Sequence, residues 1–141
     1  MADSKREVIF KRIEVILKGI QGVGDVSRGK IDALAIQKHP ALFIYPGFDD
    51  VTEELNTLRT RDMEVFIFGW QRAQKDIALE IEAFLPKVQR AIATDYNLGG
   101  AAIDFKETGI SERILTEDNL EGGFILNCSC QYRVLRSDPY N

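Results

Sequence analysis

Few side chains in this sequence are spaced for chemistry. The only histidine, His39, stands immediately before Pro40 at the foot of a strand-like run. A lone loop histidine reads as a solvated residue, since general-base and metal-ligand roles need partners, and a zinc site needs three or four ligands. The two cysteines, Cys128 and Cys130, form Cys-x-Cys and not the Cys-x-x-Cys of a zinc knuckle. Two residues apart on a strand, they point the same way at about 7 Å, beyond disulfide reach. They fall on the apolar side of an alternating pattern and read as buried, reduced thiols, which suits a reducing compartment. Acidic residues cluster twice, as Asp49, Asp50, Glu53 and Glu54, and as Glu117, Asp118 and Glu121. Carboxylates bind metal or move protons when they converge and are partly buried. In polar loops they read instead as a solvated surface, or as an interface that meets Arg59, Arg61, Arg133 or Arg136 of a neighbouring copy. Gly19, Gly22 and Gly24 follow a helix rather than a strand, the reverse of a phosphate-binding loop. Gly-x-Ser-x-Gly is absent. The sequence therefore assigns no catalytic, metal or cofactor-binding residue.

Composition agrees with a folded chain that is not built mainly to grip nucleic acid. The 141 residues are 45% hydrophobic and 28% charged, with a formal net charge of −4. Lys5, Arg6, Lys11 and Arg12 begin a helix whose opposite stripe is apolar, so they read as a solvent face. No apolar run approaches the roughly 20 residues that span a bilayer. The opening Met-Ala-Asp-Ser-Lys-Arg-Glu carries no signal-peptide core, so cytoplasmic synthesis is the expectation.

The elements that would position these residues follow from periodicity. Ser4-Lys5-Arg6-Glu7 spells a capping box, with the Ser hydroxyl bonding the Glu7 amide and Glu7 reaching back. Behind it, Ile9, Ile13, Ile16, Leu17 and Ile20 form one stripe of a helix ended by Gly19, Gly22 and Gly24. Residues 23–36 alternate weakly and suit a short edge strand. Ala41–Tyr45 reads as a strand fenced by Pro40 and by Pro46-Gly47. Phe48–Thr60 reads as a long polar loop. Met63–Trp70 is a strand apolar on both faces, with Phe66, Phe68 and Trp70 on one side and Met63, Val65 and Ile67 on the other. Such a strand belongs at the centre of a sheet or under cover on both sides.

Gln74–Thr94 is helical through Ile77, Ile81, Phe84, Leu85, Val88 and Ile92, with a kink or break expected at Pro86. Gly99-Gly100 opens a strand over Ala102–Thr108, and Ser111–Leu120 reads as a loop. Gly122-Gly123 marks the turn into a last strand. There Phe124, Leu126, Cys128, Cys130, Tyr132 and Val134 face one way, and Ile125, Asn127, Ser129, Gln131 and Arg133 the other. With no repeat and no linker, residues 1–141 form a single α+β domain. Its sheet is largely antiparallel, four- to five-stranded, with two main helices packed on one face.

At the C-terminus the long alternating strand closes with Tyr132 and, after five further residues, Asp138-Pro139-Tyr140. Upstream, Pro40-Ala41-Leu42-Phe43-Ile44-Tyr45-Pro46 leads into the polar segment, the Met63–Phe68 strand, one long helix and Gly99-Gly100. This order, behind the N-terminal helix, resembles the lambda-type tail terminator (minor tail) proteins of long-tailed bacteriophages over nearly the whole chain. The Asp-Pro-Tyr ending is its most telling motif. The resemblance implies a fold similar to tail-tube subunits and a structural role with no catalytic residue. A homo-oligomeric ring, hexameric in that family, would cap the finished tail tube, end its polymerisation and offer the surface joined by the head or neck. It implies as partners the chain itself, the tail tube protein and a head–neck connector. Genomic DNA would pass through the lumen without specific binding, and the chain would reside in the virion tail or neck.

Six copies at −4 each carry −24 formally, and an acidic bore would repel passing phosphates. A ring subunit needs two heterologous patches that close on one another. The residues expected at the interface are Asp49, Asp50, Glu53, Glu54, Arg59, Arg61, Phe66, Phe68, Trp70, Arg133 and Arg136. The alternatives are another head–tail adaptor or tail-completion protein of the phage neck, or a small soluble enzyme. The enzyme is disfavoured because no nucleophile–base pair, metal set or cofactor loop emerges.

Overall fold

A computed structural model describes residues 3–29 and 39–141. The first helix, α1, runs Lys5–Lys18 and is capped as its sequence spells, with the Glu7 amide donating to the Ser4 Oγ at 3.1 Å. The return half of the capping box is not made. The Glu7 carboxylate instead accepts a two-pronged bond from Arg28 at 2.7 and 2.8 Å, and charge-assisted pairing outcompetes the cap. Chain reversal at Gly19 leads to β1, Asp25–Arg28, the expected edge strand. The rest of the segment read as weakly alternating, residues 30–36, lies outside the described residues.

Strand β2, Ala41–Leu55, and strand β3, Leu58–Arg72, form one long hairpin turned at Asn56 and Thr57. This corrects the expected loop over Phe48–Thr60. It also corrects the fence at Pro46-Gly47. Among the described residues β1 pairs only with Ala41–Ile44 and no strand lies beside Pro46 on that edge, where its missing N–H costs no ladder bond. Gly47 is required beside it. A Cβ there would lie 2.7 Å from the Glu64 carboxylate and from the Phe66 ring, and the strand bulges between Pro46 and Asp49.

The second helix, α2, runs Ile77–Thr94 without a break, with Asp76 as its cap. Of the kink or break expected at Pro86, the break does not occur. All six stripe residues, from Ile77 to Ile92, are buried on both sides of the proline, while Pro86 and Glu82 face water, where the freed carbonyl can be hydrated. A single 3-10 turn, Leu98–Gly100, leads to β4, Asp104–Leu115, and β5 follows at Glu121–Leu135. The loop expected over Ser111–Leu120 shrinks to a turn after Leu115. Gly122 and Gly123 lie inside β5, not in its turn.

The sheet order is β1-β2-β3-β5-β4, all antiparallel except β1 with β2. Strand β3 is therefore central. Both helices lie on one face, over Leu42 and Ile44 of β2, Met63, Val65 and Ile67 of β3, and Leu126, Cys128 and Cys130 of β5. The C-terminus closes the domain at the start of α1, where the Lys5 amide donates to the Pro139 carbonyl at 3.1 Å.

Candidate assembly surface

The face of the sheet away from the helices has no layer over it among the described residues. Alternation puts Phe43 and Tyr45 of β2, Phe66, Phe68 and Trp70 of β3, and Ile125 of β5 on that side. Register then aligns them in rows: Phe43 beside Phe68, Tyr45 beside Phe66, and Phe68 beside Ile125. The rings stack along the sheet, with centroids 5.9 Å apart for Phe43–Phe68 and 6.1 Å for Phe68–Trp70. Phe43 is buried, while Tyr45, Phe66, Phe68, Trp70 and Ile125 stay half-buried. Tyr45, Phe66, Phe68, Ser111 and Ile125 line a shallow apolar depression of about 460 Å³. Beside it the Asn127 Oδ1 is buried without a hydrogen-bond partner among the described residues. Desolvation by burial raises the Tyr45 phenol above its ordinary value.

The acidic residues of the hairpin are on strands and not in a loop, and several are already paired within the chain. Asp49 is nearly enclosed, and it joins four parts of the fold. Its carboxylate accepts from the Tyr132 hydroxyl at 2.5 Å and from the Arg61 Nε at 2.9 Å, and it lies 3.6 Å from the Arg6 Nε. That contact raises the Arg61 guanidinium above its ordinary value, and burial followed by the Asp49 bond raises the Tyr132 phenol. Glu54 pairs with Arg59 at 2.6 Å. Asp50 and Glu53 are exposed and have no partner among the described residues. Arg133 reaches the Thr60 hydroxyl at 3.4 Å, and Arg136 is exposed beside the hairpin turn, its amide donating to the Thr57 carbonyl at 2.6 Å.

The second acidic cluster builds a turn. The Asp118 carboxylate accepts from the Thr116 hydroxyl at 2.6 Å and the Leu120 amide at 3.1 Å, which lower it below the ordinary carboxylate value. Glu117 is exposed, and Glu121 pairs with Arg72. His39 is exposed. Cys128 and Cys130 are free thiols in the core, and burial pushes both up to about 12, so neither is a nucleophile at neutral pH. No group of three or more His, Cys, Asp or Glu positioned to hold a metal occurs among the described residues. Among the described residues no helix is long and apolar enough to cross a membrane.

The structure thus brings Phe66, Phe68 and Trp70 into one surface. It places Asp49, Asp50, Glu53, Glu54, Arg59 and Arg61 together on the hairpin arm, with Arg133 and Arg136 beside it. Sequence reasoning missed Tyr45 and Ile125 on the aromatic face, whose membership depends on cross-strand register. It also missed Phe48, which stands 76% exposed on the arm.

No protein-family model matches the chain. No curated protein matches it. Among solved structures, a chain of the virion of a native gene transfer agent (GTA) particle aligns with it at 8% sequence identity and a TM-score of 0.45, over 93% of this chain and 96% of that chain.

Proposed function

We propose that this chain is a structural protein of a phage-like virion that caps the finished tail tube as a homo-hexameric ring. It ends tube polymerisation and presents the surface that the head or neck joins. One observation supports this reading above the others: the central strand is apolar on both faces, and among the described residues the two helices cover only one of them. A row of half-buried rings on an open sheet is the kind of surface that a second protein covers. The sequence order and the Asp138-Pro139-Tyr140 ending, similar to tail terminators, suggest which assembly does the covering. That ending is built into the fold, with Pro139 holding the first amide of α1. An enzymatic role finds no support among the described residues, where the thiols are sealed and the nearly enclosed carboxylate of Asp49 is committed to Tyr132 and Arg61.

The test is light scattering across concentration, followed by negative-stain imaging of the chain alone and mixed with tail tubes. Six-membered annuli, free or on tube ends, are expected. A chain that stays monomeric and leaves tube ends bare at every concentration would overturn the proposal.

A further inference from the structure

The two sides of the molecule carry complementary features one helix length apart. Strand β2 starts beside the C-terminal end of α1, where the Gly24 amide donates to the Pro40 carbonyl at 2.8 Å. It runs back along the helix to Asp49, near Arg6 in the first turn, and then continues past it as the arm. With 14 residues, α1 separates those two ends by about 21 Å.

At the C-terminal end, a groove of about 580 Å³ opens between α1 and α2. Its apolar lining is Val15, Ile16, Ile20 and Ala91, and Val15 is 58% exposed. Four charged residues line it. Arg12 and Asp95 neutralise one another at 2.8 Å. Lys87 and Arg90, both exposed, have no ion-pair partner among the described residues. The arm is the reverse in sign. Residues 47–64 hold Asp49, Asp50, Glu53, Glu54, Asp62 and Glu64 against Arg59 and Arg61. The two arginines are consumed by Asp49 and Glu54, Asp62 accepts from the Ser129 hydroxyl, and Glu64 accepts from the Phe48 amide. Asp50 and Glu53 remain, interleaved with the exposed apolar pair Phe48 and Val51.

We infer that the arm of one copy docks in the α1–α2 groove of the next, with Asp50 and Glu53 meeting Lys87 and Arg90 and the apolar residues of the arm covering Val15 and Ile16. The arm leads away from its own groove, so the occupant is a second copy of this chain. The contact is heterologous, the type that closes into a ring when the rotation between copies allows. This inference rests on the homo-oligomeric reading above and names which surfaces meet.

The experiment reverses charge on each side. Asp50→Lys/Glu53→Lys alters only the arm, and Lys87→Glu/Arg90→Glu alters only the groove. All four positions are exposed, so thermal unfolding should match the wild type, which separates lost docking from lost folding. Each double variant should raise the midpoint concentration of self-association by about tenfold or more, because like charges then face each other across the contact. The quadruple variant should restore assembly. A carbodiimide should join Lys87 of one copy to Glu53 of another in mixtures of isotopically light and heavy chains. Wild-type assembly that neither reversal weakens would overturn the docking while leaving the ring reading intact. A wild type that never associates would overturn both.

Discussion

Placing a carboxylate on each of two adjacent residues of β3 separates the face buried under the helices from the face away from them, proposed above as an assembly surface. Ile67 is fully enclosed under the helices. Ile67→Asp would remove a buried aliphatic side chain, a loss of about 2–5 kcal/mol, and bury a charge at several kcal/mol more. The total approaches or exceeds the roughly 5–15 kcal/mol that holds a domain of this size together. Phe68 points the other way and is half-buried, in ring contact with Phe43 at 5.9 Å and Trp70 at 6.1 Å. Phe68→Asp forfeits two aromatic contacts at about 0.5–1.5 kcal/mol each, while its carboxylate keeps access to water. A loss of about 1–3 kcal/mol lowers the melting temperature by about 4–12 °C and leaves the chain folded. Circular dichroism with light scattering would read both effects. Ile67→Asp should give an unfolded or aggregated chain. Phe68→Asp should give a folded monomer at concentrations where the wild type assembles. The reasoning fails if Phe68→Asp unfolds as Ile67→Asp does, which would make the open face part of the core. It fails equally if the folded variant assembles like the wild type.

Three further outcomes follow from the geometry. Tyr132→Phe keeps the buried ring but removes the hydroxyl bonded to the Asp49 carboxylate, and should cost about 1.5–3 kcal/mol in urea unfolding with an unchanged slope. Gly69→Ala would bring a methyl group to 2.5 Å from the enclosed Phe124 ring and should cost about 1–3 kcal/mol, read as a lower unfolding midpoint. Cys128 and Cys130 have ordinary values near 9 that burial raises to about 12, so the fold binds protons that the unfolded chain releases. Their contribution is complete below about pH 9 and declines from there toward pH 12, by on the order of 1 kcal/mol per pH unit for each thiol. Urea midpoints at pH 8 and pH 10.5 should show that decline, and a Cys128→Ala/Cys130→Ala variant should flatten it.

Both helices, the core stripe of each, the central place of β3 and the reduced core thiols could all be read from the amino-acid order. Each is governed by a period, 3.6 or 2 residues, that burial on one side imprints on the chain. Ile77, Ile81, Phe84, Leu85, Val88 and Ile92 announce a buried stripe whatever they pack against. The arm was not legible for the same reason. From Phe48 to Leu58 nearly every residue is exposed on both faces, so no alternation distinguishes a strand from a loop, and Pro46-Gly47 adds a false stop. The outer end of β4 was misread likewise, where residues 111–113 are all exposed. Nor could the order of residues say which side of β3 the helices would cover. Met63, Val65 and Ile67 are no more apolar than Phe66, Phe68 and Trp70. What set the aromatic row on the side away from the helices was the placement of α1 and α2 on a single face, together with the register that brings Tyr45 and Ile125 alongside. Local spacing decides which residues can be buried together, whereas which faces remain uncovered depends on contacts between segments distant in the chain.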